Sequence, residues 1–129
     1  MGEINKKRSH ILLVDDEEGL RLSLKIFLEN DGYGKISDVS TCEEALEIVL
    51  TQNIDLIICD ILLQGTSGME VLRKVKKMGF KCPIIIITAY PNEKTIEEAK
   101  RLGVFEYMRK PLKKEDFLRV TRMALEQQS

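Results

Sequence analysis

Tryptophan is absent from the 129 residues, and four phenylalanines with three tyrosines bring aromatics to only 5%. Stacking platforms for single-stranded nucleic acid are therefore not expected. An excess of one charge is lacking too: 20 basic residues face 21 acidic ones, a formal net charge of −1. A generic polyanion binder would carry a basic stripe, so direct nucleic-acid binding is not expected. Metal-binding thiol patterns are missing. Cys42, Cys59 and Cys82 lie far apart with no CxxC pair, and the single histidine, His10, has no cysteine or acidic residue within a turn. Zinc centres, disulfide frameworks and a Cys59–His10 nucleophile pair are all poor readings, the last because Cys59 sits inside an apolar run. No hydrophobic run approaches the roughly 20 residues of a membrane span, and the N-terminus is polar. Lys6 stands where a myristoylation signal wants Ser or Thr. A cytoplasmic protein without membrane partners is expected. Neither G-x-G-x-x-G nor G-x-x-x-x-G-K-[ST] occurs, which removes the main signals for dinucleotide and P-loop nucleotide binding.

What is present is a soluble composition, 43% hydrophobic and 32% charged, of a length that makes one domain. After a polar arm (1–9), the chain swings five times between apolar runs and segments of helical period. The runs are Ile11 to Val14, a weak one at Ile36 to Val39, Leu56 to Cys59, Ile84 to Ile87, and a short one around Val104 to Met108. Three are apolar throughout, as strands covered on both faces are in parallel sheets. Between them, Leu20, Leu24, Phe27 and Leu28 form one helical face. Thr41 with Glu44 and Ser67 with Glu70 fit capping boxes opening the second and third helices. The segment Glu93 to Leu102 offers only Ile96, Ala99 and Leu102 to a core. A last helix from about Lys113 turns Phe117, Val120, Ala124 and Leu125 inward. Gly32, Gly79 and Gly103 supply stops. Five strands alternating with five helices predict an α/β, doubly wound (βα)5 fold with right-handed crossovers.

Ligands of open α/β sheets bind outside the carboxyl ends of the strands. Asp15 and Asp16 follow the first run, Asp60 the third, Thr88 the fourth, and Lys110 with Pro111 the fifth. Each has a plain structural explanation: a helix cap, a loop start, a strand-end hydroxyl, one solvated lysine among many. Their coincidence on one sheet edge points to chemistry. Two carboxylates about 4 Å apart repel by roughly 4 kcal/mol at an effective dielectric near 20, so a proton or a cation must enter. All-oxygen ligands select a hard ion, and Mg²⁺ (or Mn²⁺) suits a site that also keeps room for water and phosphate. Three carboxylates, one divalent cation and one ammonium are neutral together and can receive an anion. Lysine serves as a point charge for phosphate, and an aspartate can be the nucleophile of phosphoryl transfer.

Leu12-Leu13-Val14-Asp15-Asp16-Glu17, Asp60-Ile61 with Gly68 eight residues on, Thr88-Ala89-Tyr90, and Gly103 through Tyr107 to Lys110-Pro111 resemble the receiver (CheY-like) domain of bacterial two-component response regulators. The resemblance covers residues 10–127, leaving 128–129 as a C-terminal end. It implies a flavodoxin-like five-stranded parallel sheet of order 2-1-3-4-5 and a phosphorelay switch. Asp60 would accept a phosphoryl group from a sensor histidine kinase or phosphotransfer protein. Asp16 and Asp60 would hold Mg²⁺ directly, Asp15 through water, with the Leu62 backbone carbonyl completing the shell. Lys110, joined to Pro111 by a cis bond, would contact the phosphoryl oxygens. Thr88 would move onto that group and Tyr107 would rotate inward behind it. The surface of the fourth helix, fifth strand and fifth helix would then change for partner binding or homodimerisation.

Two positions bear on rate. The family usually has proline where Gln64 stands, which predicts a less stiff loop from Leu62 to Ser67. Leu62 and Tyr90, both bulky, occupy the positions that tune dephosphorylation and imply restricted water access. The expected activity is self-phosphorylation and autodephosphorylation only, not turnover of an external metabolite. An aspartyl-phosphate phosphatase is the first rival, but such enzymes want an acid two residues after the nucleophile, where Leu62 stands. A degenerate receiver acting as a scaffold is the second, opposed by intact Asp15, Asp16, Asp60, Thr88 and Lys110.

Overall fold

Runs of β-branched and aliphatic residues with no polar interruption form strands that pair on both sides and are covered on both faces. The computed structural model, which describes residues 4–63 and 66–128, shows five such pairings in chain order. They are β1 (His10–Val14), α1 (Glu18–Asn30), β2 (Lys35–Val39), α2 (Cys42–Thr51), β3 (Leu56–Asp60), α3 (Gly68–Lys77), β4 (Ile84–Thr88), α4 (Glu93–Arg101), β5 (Glu106–Arg109) and α5 (Lys114–Gln128). The strands make one parallel sheet ordered β2-β1-β3-β4-β5. A two-residue antiparallel ladder, Leu62–Leu63 against Thr66–Ser67, leads from β3 into α3.

Strand side chains alternate between faces, and here each face meets its own helices. Leu12, Val14, Ile57, Cys59, Ile84 and Ile86 pack with Ala45, Val49, Leu72, Val75 and Ala99 of α2, α3 and α4. Ile11, Leu13, Leu56, Ile58, Ile85 and Ile87 pack with Leu24 and Leu28 of α1 and Phe117, Val120, Ala124 and Leu125 of α5. Both layers are apolar, which explains why Ile11 to Val14, Leu56 to Cys59 and Ile84 to Ile87 carry no polar residue. Edge strand β2 has no fully buried residue, matching its weak run.

Helix boundaries follow local chemistry. Thr41 Oγ1 accepts from the Glu44 N–H at 3.1 Å, and Glu44 reaches back to the Ser40 N–H at 3.2 Å, so the expected box closes one residue early. At α3, Ser67 Oγ accepts from the Met69 N–H, while Glu70 turns to Arg73 and Lys74. Ser67 is a cap; the box is not made. Gly32, Gly79 and Gly103 all take positive φ, 101°, 85° and 76°, which glycine alone adopts without strain. The fifth strand starts at Glu106, later than the apolar run suggests: Val104 and Phe105 pack on opposite faces of the sheet, and although the Phe105 N–H donates to the Ile84 carbonyl at 2.8 Å, the residue-by-residue ladder with β4 begins only at Glu106. Residues 4–9 are docked, not loose: Lys6 pairs with Asp31 at 3.1 Å, and the Lys6 carbonyl accepts from the Gly34 N–H. No described helix is long and apolar enough to cross a membrane.

Candidate functional site

The carboxyl ends of β1, β3, β4 and β5 converge, and the residues just past the apolar runs meet there. Asp15 is buried, Asp60 is buried at the end of β3, and Asp16 is exposed beside them. Carboxylate oxygens of Asp15, Asp16 and Asp60 lie within 4.8 Å of one another. Lys110 reaches across the sheet edge from beyond β5. Its Nζ donates to Asp60 Oδ2 at 2.6 Å, stands 3.1 Å from Asp15 Oδ2, and lies 3.9 Å from Glu17 Oε1. The lysine is placed by its own backbone, whose N–H donates to the Thr88 carbonyl at 2.8 Å, and by a cis bond to Pro111.

Backbone donors fix the remaining oxygens. Asp60 Oδ1 accepts from the Leu62 N–H at 3.1 Å, and Asp15 Oδ1 from the Glu17 N–H at 2.9 Å. Asp15 Oδ2 is buried with no hydrogen-bond partner, the Lys110 ammonium at ion-pair distance, 3.1 Å, being its one compensation. Burial lifts the Asp15 carboxyl above the usual range, against the pull of the Glu17 N–H and the Lys110 charge; the Asp60 charge adds to the rise. Burial works against the Lys110 ammonium, yet the Asp60 hydrogen bond and the Asp15 and Asp60 charges outweigh it and hold the lysine above its ordinary value. Three acids against one firm cation leave the pocket short of positive charge. An orphaned buried carboxylate oxygen beside two further carboxylates is a donor set that fits a hard divalent ion.

The pocket over these groups encloses about 300 Å³, and Leu62, Leu63, Ala89 and Tyr90 form its mouth. Leu62 is 51% and Tyr90 72% exposed, so both stand over the opening and do not seal it. Thr88 is fully buried, and its Oγ1 accepts from the Tyr90 N–H at 3.1 Å, a local strand-end bond. Tyr107 lies farther along the same edge, half-buried, with its hydroxyl 2.8 Å from Thr95 Oγ1 on α4. The structure thus brings Asp15, Asp16, Asp60, Lys110 and the Leu62 backbone together, with Thr88 alongside and Tyr107 behind. Gln64 lies outside the described residues. His10 and Cys59 are kept apart: His10 opens β1 and bonds Ser37 Oγ at 2.7 Å, while Cys59 ends its run on the other side of Val14.

Sequence reasoning passed over three contributors. Arg21 donates to the Asp15 carbonyl at 2.6 Å and pairs with Asp38 at 3.1 Å, and Lys25 meets the same carboxylate. Asp38, alone in an otherwise weak strand with two bases four residues apart on the preceding helix, was the available signal. Burial raises the Asp38 pKa, but the hydrogen bonds and charges of Lys25 and Arg21 overcome it and hold it below the usual range.

The response regulator receiver domain model matches residues 11–122. The chain belongs to the response regulator receiver family. This receiver domain is 34% identical to sporulation initiation phosphotransferase F of Bacillus subtilis over 101 residues, covering 78% of this chain and 81% of that one. It is 32% identical to the transcriptional regulatory protein GlrR of Escherichia coli over 124 residues, covering 96% of this chain but 28% of that protein. The receiver domain thus spans little more than a quarter of that regulator. Its structure is similar to a CheY-like response regulator receiver domain protein from Methanospirillum hungatei, with a TM-score of 0.89, 28% identity, and coverage of 93% and 95%. Receiver domains of two-component response regulators are phosphorylation-dependent signalling domains, so the phosphatase reading finds no support in the family.

Proposed function

We propose that residues 10–127 form a Mg²⁺-dependent phosphoacceptor switch in which Asp60 takes a phosphoryl group from a sensor histidine kinase or a phosphotransfer protein. The observation that carries this reading is the 2.6 Å bond from Lys110 Nζ to Asp60 Oδ2 inside a cluster of three carboxylates. A carboxylate held by an ammonium and one backbone N–H keeps lone pairs free toward the open pocket, as a nucleophile needs. Asp15, Asp16 and Asp60, with the Leu62 carbonyl, would hold the divalent cation. When bound, it supplies charge neutralisation for the phosphoryl oxygens.

In the transfer, an Asp60 carboxylate oxygen forms a bond to phosphorus as the bond from phosphorus to the donor breaks, and the donor keeps that electron pair. Lys110 moves its ammonium from the carboxylate to a phosphoryl oxygen, a charge-assisted contact of the stronger kind. Asp15, already poor in partners, keeps the site attractive to the cation. Thr88 exchanges its bond to the Tyr90 N–H for one to the phosphoryl group, and Tyr107 fills the space behind it. The chemistry is uptake and then hydrolytic loss of one phosphoryl group, in which water takes the phosphoryl group and returns Asp60 to its carboxylate; Leu62 and Tyr90 stand over the open mouth through which that water enters. Output follows through α4, β5 and α5, by partner binding or homodimerisation.

Incubation with acetyl phosphate, with and without EDTA, followed by intact mass measurement tests the assignment. One phosphoryl adduct is expected with Mg²⁺, none with EDTA and none on the Asp60→Ala variant. Equal uptake by that variant would sink it.

A further inference from the structure

The opposite edge of the sheet, where the strands begin, holds a groove of about 730 Å³ between the ends of α2, α3 and α4 and the starts of β3, β4 and β5. A five-residue strand is about 16 Å long, so this groove is well separated from Asp60. Its apolar floor includes Ile54, Phe80 and Phe105, each partly exposed. Lys76 and Lys81 stand on its rim, and no acidic side chain lines it.

Two bases line the groove, and further bases end the neighbouring helices, although the chain as a whole carries −1. The last turn of α3 carries Lys74, Lys76 and Lys77, and that of α4 carries Lys100 and Arg101. Of these and Lys81, only Lys74 makes an ion pair among the described residues. Bases in a last helical turn meet the helix dipole and need no ligand. Lys81 is different: it lies in the loop after α3, exposed and outside any helix. Its charge is not fixed by a position in a helix turn.

Three chemistries coexist in the groove: an apolar floor with two aromatic rings, two unpaired ammonium groups, and the carboxamides of Gln52 and Asn53 at its side. A simple anion would use the lysines and leave the floor wet. A nucleic acid would want a wider basic field than this chain carries. A primary amide both donates and accepts, which matches a peptide backbone. We infer that the groove is a docking site for an acidic peptide segment with a large apolar side chain, the acids meeting Lys76 and Lys81 and the apolar group covering Phe80 and Phe105.

The test uses the full chain, ¹⁵N-labelled, and a short synthetic peptide alternating glutamate with phenylalanine, fluorescently labelled for polarisation. Saturable binding is expected, with amide shifts at Phe80, Cys82, Val104 and Phe105 and none at Asp60 or Lys110. The variant Lys76→Glu/Lys81→Glu changes only groove-rim charges and should weaken binding about tenfold or more, the scale of one lost charge-assisted contact. Replacing glutamate by glutamine in the peptide should do the same. Absence of saturable binding, shifts centred elsewhere, or equal affinity for the glutamine peptide or the charge-reversed variant would overturn the assignment. Displacement of the peptide by inorganic polyphosphate at equal concentration would overturn it in favour of simple anions.

Discussion

The Tyr107 hydroxyl lies 2.8 Å from Thr95 Oγ1, tying β5 to the first turn of α4. Helix α4 buries one residue, Ala99, so few apolar contacts oppose its displacement. A second tie joins it to α3, where Arg73 grips Glu98 through two bonds of 2.5 and 2.7 Å. Arg73 is exposed and Glu98 half-buried, and the two-bonded geometry is the kind that lets a surface pair contribute. The half-buried Tyr107–Thr95 bond is the restraint that ties α4, the element the proposed switch must move, to β5.

Tyr107→Phe keeps the ring and deletes this bond. Thr88 is still engaged with the Tyr90 N–H, so the bond belongs to the unswitched arrangement, and its loss should ease switching. Beryllofluoride with Mg²⁺, standing in for the phosphoryl group, should saturate the variant at a lower concentration. A neutral hydrogen bond is worth about 0.5–1.5 kcal/mol, or roughly 2- to 13-fold. Amide shifts across Ile96 to Leu102 report the change. An unchanged or higher midpoint would place the bond in both states or in the switched one.

Lys110→Ala removes the one ammonium that both Asp15 and Asp60 approach within 3.1 Å. The fold and divalent-ion binding should survive, while the preference for the beryllofluoride-bound state falls by about 1.5–3 kcal/mol, some 10- to 150-fold. Titration followed by NMR reads this directly. A response equal to that of the unaltered chain would remove Lys110 from the switch.

Asp15→Asn addresses the shortage of positive charge. The substitution removes one of three crowded acids, so the metal-free variant should be more stable at neutral pH, by about 0.5–2 kcal/mol. Added Mg²⁺ should raise the unfolding temperature of the unaltered chain and barely move that of the variant. At a hundredfold excess over Kd, binding stabilises by about 2.7 kcal/mol, readily seen in a thermal melt. A full Mg²⁺ response in the variant would show that Asp15 does not serve the cation.

How much of this was legible in the sequence depends on what kind of signal each residue carries. Ile11 to Val14, Leu56 to Cys59 and Ile84 to Ile87 announce buried strands because a two-sided burial leaves no room for polar residues. The acids and the lysine at their carboxyl ends then fall together by topology alone. Val104 and Phe105 misled because burial and strand pairing are different things: they pack into opposite layers of the core, yet the ladder begins only at Glu106. Glu70 misled because a carboxylate near an N-cap can choose between a backbone N–H and the bases Arg73 and Lys74. The Arg21–Asp38 tie joins residues 17 positions apart, so the lone Asp38 and the two bases on α1 signal an ion pair only once the topology sets β2 beside β1. Gly68 was visible only as a motif position, and its physical reason emerges from coordinates.

A pH dependence follows from His10, buried at the start of β1. Burial, then the charge of Lys35, lower its pKa from 6.5, overcoming the Asn53 backbone and Asp55. Below pH 6.5 the unfolded chain therefore binds a proton that the folded chain refuses, and stability falls as pH drops through that value until the folded pKa is reached. The slope cannot exceed about 1.4 kcal/mol per pH unit for one group. Urea unfolding between pH 8 and pH 5 should show this slope, and His10→Gln should flatten it. An equal slope in the variant would assign it to other groups.

Gly68 lies against the backbone that carries Asp60. A Cβ built there would sit 1.8 Å from the Asp60 carbonyl oxygen and 3.0 Å from Cys59 Sγ. The Gly68 N–H also donates to the Ile61 carbonyl at 2.6 Å, so the contact is pinned from both sides and the obstacle is backbone, not a movable side-chain tip. Gly68→Ala must therefore push the start of α3 away from the end of β3. Overpacking of this kind costs about 1–3 kcal/mol, and the displacement falls on the residue that receives the phosphoryl group. The expected result is a lower urea midpoint together with slower acetyl phosphate uptake at saturating Mg²⁺. Gly79→Ala serves as the comparison, since a Cβ there meets nothing within 4 Å although its φ is 85°. It should lose stability through backbone strain but keep its uptake rate. If Gly68→Ala were phosphorylated as fast as the unaltered chain, the close approach of α3 to Asp60 would have no part in shaping the site.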